Sequence, residues 1–192
     1  MPDSIILPCF LFPNIGWWKI AKQQSVLALE TQENWVKQSA RNHFEIVGSN
    51  GRLKLSIPTV KNTRLKMDEV EIDYREPWQK LHLRSLDSCY NHSPFYEYYR
   101  EELRDLFLQS DPYLLDMSRK SIDWCMQKLQ MIFVAAPTSS YKEATGFDFR
   151  KEMPFTSGRP YPQVFEDRLG FESNLSVLDL LFNVGPASGS FI

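Results

Sequence analysis

Five side chains that carry hydrogen-bond donors lie close together within residues 33–43. They are Lys37, Gln38, Arg41, Asn42 and His43. Ammonium, guanidinium, amide and imidazole groups bind oxyanions and other polar ligands. We therefore predict a substrate-binding site that contains Lys37, Gln38, Arg41 and Asn42, in which the planar Arg41 guanidinium clamps a phosphate or carboxylate. The alternative is a solvated group of charges at the edge of a strand.

His82 and Cys9 are the candidate catalytic residues. His82 lies early in a predicted helix, and an imidazole titrates near neutral pH, so it could act as a general base. The alternative is a partly buried histidine that hydrogen-bonds the backbone. Cys9 follows the first predicted strand, where open α/β sheets place their sites, and a lowered pKa would make its thiol a nucleophile. The alternative for Cys9 is a small core residue.

Arg150, Tyr161 and Gln163 flank a long stretch without periodicity, residues 137–160. Loops of this length are usually functional or disordered, so we predict either a lid over a ligand or a disordered segment. The three flanking side chains would then either close over a ligand or only tie the loop down.

The sequence does not contain the common motifs that name a reaction. The glycines at residues 48–51 lack the lysine and the helix start of a phosphate-binding loop, and no Gly-x-Ser-x-Gly elbow occurs. The His and Cys residues do not have the spacing of metal ligands. We predict no metal site, and the cofactor stays unknown.

The composition is that of a globular protein with one domain. The 192 residues are 43% hydrophobic and 14% aromatic, with a formal net charge of −2. This charge argues against nucleic acid as a partner. Three widely spaced cysteines indicate reduced thiols in the cytoplasm. Neither a signal peptide nor an apolar run long enough for a membrane helix is expected.

Periodicity and caps predict the elements that must position these residues. A β-α-β unit comes first, with apolar runs at residues 4–8 and 25–30 around a helix capped by Asn14. A hairpin with a turn at residues 48–51 follows. Further along, we expect a strand at residues 70–74, helices that begin near residues 78, 93 and 111, a central strand at 131–136 and a helix at 174–182.

These elements predict a single α/β domain over residues 1–192. It would combine a mixed β-sheet, the N-terminal β-α-β unit, the hairpin, helices in the middle of the chain and a C-terminal helix.

Several stretches in the same order along the chain resemble the WbqC-like family of bacterial proteins. The matching stretches are residues 7–17, 34–43, 51–58, Trp78, His82, residues 93–96 and residues 174–182. The sequence departs from the pattern of many relatives at Leu7, where they have glutamine, and at His43, where a second arginine is expected. The resemblance implies a role in surface-polysaccharide synthesis, including O-antigen, with a glycyl or related acyl transfer to a sugar.

The leading hypothesis is a cytoplasmic transferase that acts on a nucleotide-activated or lipid-linked sugar. Lys37, Arg41 and Asn42 would bind an anionic or carbonyl group, and His82 would take the proton of an acceptor amine or hydroxyl. The expected partners are a small-molecule sugar or acyl donor and proteins of the glycan pathway. The alternatives are a non-catalytic ligand-binding or scaffold protein of that pathway and an acyltransferase that depends on Cys9 and a histidine.

Overall fold

The computed structural model describes residues 5–37, 39–61, 65–141, 148–150 and 154–192. The strands are β1 (Ile6–Pro8), β2 (Val26–Glu30), β3 (His43–Gly48), β4 (Gly51–Ser56) and β5 (Val134–Pro137). The helices are α1 (Ile15–Ala21), α2 (Trp78–Tyr90), α3 (Tyr96–Leu108), α4 (Leu114–Lys128), α5 (Glu166–Leu169) and α6 (Val177–Val184). The prediction of an α/β fold is confirmed.

Three parallel strands form the sheet that positions the candidate site. Their order is β1-β2-β5, with β2 in the centre. The strands end together, since Pro8 pairs with Glu30 and Leu29 pairs with Pro137. The segments that follow them therefore meet at one edge of the sheet.

The hairpin is separate from the parallel sheet in the described part of the chain. Strands β3 and β4 pair only with each other, so the predicted single mixed sheet is corrected to a parallel sheet and an antiparallel hairpin. Gly48 pairs with Gly51 across a two-residue turn. Gly51 has a φ of 106°, a conformation that disfavours residues with a side chain.

Helix α1 begins where the sequence predicts. The Asn14 side chain accepts a hydrogen bond from the Trp17 amide at 2.9 Å, which caps the first turn. Trp17 and Trp18 are fully buried. Gly16 lies against the carbonyl of Pro154, which brings the C-terminal third of the chain onto the start of α1.

The remaining helices enclose the hydrophobic core. Helices α2, α3 and α4 each bury one face, as their apolar spacing predicts. Helix α6 is buried at every residue from Val177 to Asn183, so it lies inside this helical layer. The helices predicted from residues 93 and 111 begin three residues later, at Tyr96 and Leu114.

Two predicted strands differ from the structure. Residues 70–74 form only single bridges, in which Ile72 pairs with Thr59 and Glu71 with Tyr113. The apolar run at 131–136 supplies β5, which is an edge strand of the described sheet rather than its centre. Apolar composition does not distinguish these positions, because strand order depends on contacts that are distant in sequence.

The predicted loop at 137–160 is described in part, since residues 142–147 and 151–153 lie outside the described residues. Its described parts are attached to the rest of the domain. The Thr138 amide donates to the Leu29 carbonyl at 2.8 Å, and the Pro154 carbonyl accepts from Asn14 at 2.8 Å.

We expect Gly16→Ala to destabilise the protein. A Cβ atom at this position would lie 2.5 Å from the Pro154 carbonyl oxygen and 2.9 Å from Asn174 Oδ1. Overpacking of this kind costs about 1–3 kcal/mol, whereas the helix propensity of alanine alone would stabilise the helix by about 1 kcal/mol. Urea denaturation shows whether the free energy of unfolding falls or rises. A rise would contradict the close approach of Gly16 to the Pro154 carbonyl. Lys19→Ala in the same helix is the control, with an expected change below about 0.5 kcal/mol.

Candidate functional site

A buried ion pair lies beside the carboxyl edge of the parallel sheet. The Arg41 guanidinium contacts Glu33 through two nitrogens, with Nε donating to Oε1 at 2.9 Å and Nη2 donating to Oε2. Nη2 also donates to the Arg150 carbonyl at 3.0 Å, and the guanidinium lies 6.0 Å from the centre of the Phe10 ring. Arg41 and Glu33 are each only 4% exposed. Arg41 therefore has the bidentate geometry predicted for it, but with a carboxylate of the protein.

Arg150 forms a second ion pair at the same edge. Its Nη1 donates to Glu30 Oε2 at 3.0 Å, and its Nε donates to Asp148 Oδ1 at 2.8 Å. The other Glu30 oxygen accepts from the Thr138 hydroxyl at 2.8 Å. The guanidinium also lies 4.5 Å from the centre of the Tyr141 ring. We call Glu30, Glu33, Arg41, Thr138, Asp148 and Arg150 together the edge network.

The backbone at the ends of the strands holds the edge network in place. Thr31 continues the pairing beyond β2, because its amide donates to the Thr138 hydroxyl at 3.1 Å and its hydroxyl donates to the Thr138 carbonyl at 3.0 Å. The Glu33 carbonyl accepts from the Met67 amide at 3.0 Å. Both glutamates are therefore fixed by main-chain contacts at or next to their own positions.

Burial dominates the electrostatics of Glu33, whereas for Arg150 the hydrogen bond with Asp148 is the largest influence and raises the pKa. The pKa of Glu33 is raised because loss of solvation outweighs the attraction of Arg41. Buried charges cost several kcal/mol per ion to desolvate, and well-packed apolar residues would often be as stable. Stability alone therefore does not explain why these charged residues are buried at the edge of the sheet.

Among the described residues, the other donors of the predicted substrate-binding cluster are not part of the edge network. Lys37 is exposed, and Gln38 lies outside the described residues. The Asn42 side chain donates to the Ile57 carbonyl at 2.9 Å, which extends the hairpin by one pair. The structure thus brings Arg41 and Arg150 together through the Arg150 carbonyl but gives Asn42 a backbone partner. Ligand binding by these residues stays a prediction.

Tyr161 and Gln163 lie around Asp179 on α6 rather than in the edge network. The hydroxyls of Tyr90 and Tyr161 each donate to one Asp179 oxygen at 2.7 Å, and the Gln163 amide donates to Oδ2 at 2.8 Å. Burial raises the pKa of Asp179. Gln163 also exchanges two hydrogen bonds with the backbone of Glu172, at 2.8 and 2.9 Å. These contacts tie the chain that follows the long loop to α6.

His82 lies in an aromatic cluster. Its ring packs against Phe44, Trp78 and Phe107, with centroid distances of 6.1, 5.3 and 6.0 Å. Desolvation lowers its pKa to about 4, although the Ser56 backbone opposes this. The Nδ1 atom is buried without a hydrogen-bond partner in the described structure. His82 is therefore neutral at neutral pH, and its surroundings are those of a core residue.

The environment of Cys9 does not favour a nucleophile. Cys9 is buried, and desolvation raises the pKa of its thiol to about 12. Because the thiolate is the reactive form, such a thiol is inert near neutral pH. Cys89 and Cys125 are also buried, and desolvation raises the pKa of both. The proposed catalytic role of Cys9 has no support from this geometry.

The sequence reasoning missed the carboxylates of the site. Glu30 ends the apolar run of β2 and is fully buried, so a charge directly after a buried strand was the available signal. Glu33 and Asp148 lie eight and two residues from their arginines, and nothing local distinguishes them from surface carboxylates. Asp179 lies inside an apolar helix, where a lone carboxylate is also a visible signal.

The comparison with protein families agrees with this architecture. The WbqC-like protein family matches residues 8–153, which include all of the edge network. The chain belongs to the WbqC-like protein family. The matched part runs from the end of β1 through α4 and β5, so both sheets of this WbqC-like protein fall largely within it. No curated protein and no solved structure matches the sequence.

Among the described residues, no helix has the length and apolar character needed to cross a membrane. The same residues contain no group of three or more His, Cys, Asp or Glu side chains that could hold a metal ion.

We expect Arg41→Ala to destabilise this WbqC-like protein strongly. The substitution leaves the Glu33 carboxylate buried without its partner, and loss of one member of a buried pair costs about 3–5 kcal/mol. Urea denaturation measures the change. Arg75→Ala is the matched control, since Arg75 pairs with Asp73 at the exposed surface and its loss should have little effect. Equal losses of unfolding free energy in the two variants would show that the Arg41–Glu33 pair stabilises the protein no more than an exposed pair does.

We expect the lowered pKa of His82 to reduce the free energy of unfolding of the protein in acid. Its pKa is lowered from 6.5 to about 4, so the unfolded state binds the proton first and the native state loses stability as the pH falls from about 6.5 to about 4. A pKa decrease of that size corresponds to a loss of up to about 3 kcal/mol in the free energy of unfolding. Denaturation at several pH values should show this loss in the wild type and a smaller one in His82→Gln. The exposed His92→Gln is the control, and an identical profile for wild type and His82→Gln would contradict the assignment.

Proposed function

We propose that this WbqC-like protein is a transferase that moves a glycyl or other acyl group to a sugar during bacterial surface-polysaccharide synthesis in the cytoplasm. The observation that carries the proposal is the edge network at the carboxyl ends of the parallel strands. Membership of the WbqC-like family supports the same class of role.

The position of the edge network favours a functional role over a structural one. Open α/β sheets bind their ligands beyond the carboxyl ends of the strands, where the connecting segments diverge. Here those segments carry Glu30, Glu33 and Arg150, all buried and charged. Charged groups that share a buried position beside a strand end are typical of sites that bind or transfer polar groups.

Arg41 is the group best placed to bind the substrate. Glu33 and the Arg150 carbonyl hold its Nε and Nη2, so the guanidinium plane is fixed before a ligand arrives. Its Nη1 donates no hydrogen bond within the described residues. In the proposed reaction, Nη1 donates to the carbonyl oxygen of the acyl donor, where negative charge develops during attack. Lys37, exposed in the same segment, attracts the anionic part of an activated donor.

The acyl group would pass directly between the two substrates. The acceptor amine or hydroxyl attacks the acyl carbonyl and forms the new bond, the bond to the donor's leaving group breaks with its electron pair, and the proton of the acceptor passes to that leaving group. This route needs no enzyme nucleophile, which is consistent with the buried cysteines and their raised pKa values. The buried His82 is assigned no step in it.

A non-catalytic binding protein of the same pathway is the second candidate. The observation that favours it is that both predicted catalytic residues, His82 and Cys9, are buried, with pKa values of about 4 and about 12 that lie far from neutral. In that case the edge network would bind the ligand without transforming it.

We expect the purified protein to bind and use an activated donor. The measurement combines thermal shift with mass spectrometry of mixtures that contain nucleotide sugars and acyl or glycyl donors. A ligand at 100 times its dissociation constant should stabilise the protein by about 2.7 kcal/mol. Arg41→Lys keeps the charge but loses the fork, and Lys37→Ala removes an exposed charge without disturbing the core. Both should lower the transfer rate, at least tenfold for Arg41→Lys.

Arg75→Lys is the control for general effects of arginine substitution, since its side chain is exposed. Transfer that is unchanged in both Arg41→Lys and Lys37→Ala would place the reaction elsewhere. Binding without any product would support the second candidate, and the absence of both would contradict the site.

A further inference from the structure

A cavity of about 200 Å³ lies next to the edge network and contains none of its residues. It is formed by the segment between β1 and α1, by the hairpin, and by residues 155, 174 and 176 of the C-terminal part. The segment after β1 connects the cavity to the edge network, because Phe10 contacts Arg41 and the next two residues, Leu11 and Phe12, line the cavity.

The lining of the cavity is largely apolar. Leu11, Phe12 and Phe44 are almost fully buried behind its surface, where the rings of Phe12 and Phe44 meet edge to face at 5.1 Å. Phe12 has a φ of 40°, which is an outlier for a bulky residue. Backbone strain of this kind costs about 1–3 kcal/mol and is found at ligand sites. Phe155 also lines the cavity and is 74% exposed, so it offers a ring at the opening.

The charges at the rim neutralise one another. Arg52 donates to Glu172 at 2.8 Å, to Glu45 at 3.3 Å and to the Ser173 carbonyl at 2.5 Å. Each of its three guanidinium nitrogens is therefore engaged. An ionic ligand would have to break these pairs, so the cavity favours an uncharged one.

His43 supplies a hydrogen-bonding group inside the cavity. It is half-buried at the start of β3, and desolvation and the nearby Lys54 lower its pKa. The neutral ring has one donor and one acceptor nitrogen. Because His43 lines the cavity, the acceptor nitrogen of its neutral ring can accept a hydrogen bond from a ligand hydroxyl there.

The volume limits the ligand to one small ring. Sites for drug-sized ligands have about 300–1,000 Å³, whereas one water occupies about 30 Å³ of the liquid. A monosaccharide lies between these limits. It also has the required chemistry, with C–H faces that pack on aromatic rings and hydroxyls at its rim.

We propose that this cavity binds one uncharged sugar ring, packed on the exposed Phe155 ring and hydrogen-bonded through a hydroxyl to His43. The inference rests on the proposed function and gives that transferase its acceptor. Because His43 and Arg41 are two residues apart in one segment, a sugar here would lie beside the place assigned to the acyl group.

Saturation-transfer NMR on the full-length wild type tests the proposal without requiring activity. The probes are the methyl glycosides of glucose and N-acetylglucosamine, with glucuronic acid and glucose 6-phosphate as charged counterparts. We expect a neutral glycoside to bind and the charged sugars to bind at least tenfold more weakly. Tighter binding of a charged sugar, or no binding of either neutral glycoside, would overturn the proposal.

Two pairs of variants assign the binding to the cavity. Phe155→Ala removes an exposed ring and should weaken binding at least tenfold, whereas Tyr98→Ala, 76% exposed on α3, should not. His43→Phe removes the hydrogen-bonding nitrogens and should also weaken binding, with His92→Phe as its exposed control. Affinity that is unchanged in Phe155→Ala and His43→Phe would place the sugar elsewhere and overturn the proposal.

The two proposals fail in distinguishable ways. Sugar binding that depends on Phe155, with no transfer from any donor, would leave the cavity assignment standing and contradict the transferase. Transfer that depends on Arg41 but is unaffected by Phe155→Ala and His43→Phe would support the transferase and overturn the cavity as its acceptor site.

Discussion

The paired guanidinium and carboxylate groups of the edge network are the constraint on which the rest of this structure depends. Arg41 and Arg150 connect the segment after β2 to the segment after β5 across more than a hundred residues. Since buried charges are expensive without partners, the Arg150–Glu30 pair is stable only when both segments are in place. The long region between β2 and β5, with its hairpin and three helices, must therefore return the chain to the same edge.

The C-terminal part of the chain completes the arrangement by different means. It has no strand in the described sheet; α6 packs in the hydrophobic core, and hydrogen bonds join the residues before α6 to the segment after β1. The Pro154 carbonyl accepts from Asn14 and Asn174, and the Ser176 hydroxyl donates to the Phe12 carbonyl. These contacts hold the segment after β1 in the conformation in which Phe12 is strained. The proposed sugar cavity thus depends on residues at both ends of the chain.

Charge and apolar surface are separated between the two proposed subsites. The edge network is charged, buried and preorganised, which suits a carbonyl or anionic group. The neighbouring cavity is apolar, with a rim whose charges are already paired, which suits a neutral ring. A transferase needs two such sites side by side, because its substrates differ in polarity and must be oriented before they react. The two sites are linked through neighbouring residues, because Phe10 contacts Arg41 and precedes two cavity residues, and His43 follows Arg41 by two residues.

The sequence by itself determined the local elements and two important residues. Cap and periodicity signals predicted α1, the hairpin and the central helices, because those signals act over a few residues. The same reasoning selected Arg41 and Arg150 by their chemistry. Only the tertiary structure decided that the strands form two separate sheets, that β5 is an edge strand, and that Glu30 and Glu33 pair with the arginines. It also decided that Asn42 bonds to backbone, that His82 lies among aromatic rings and that Tyr161 and Gln163 bind Asp179. The physical reason is that each of these outcomes depends on burial and on partners distant in sequence, and local patterns contain neither.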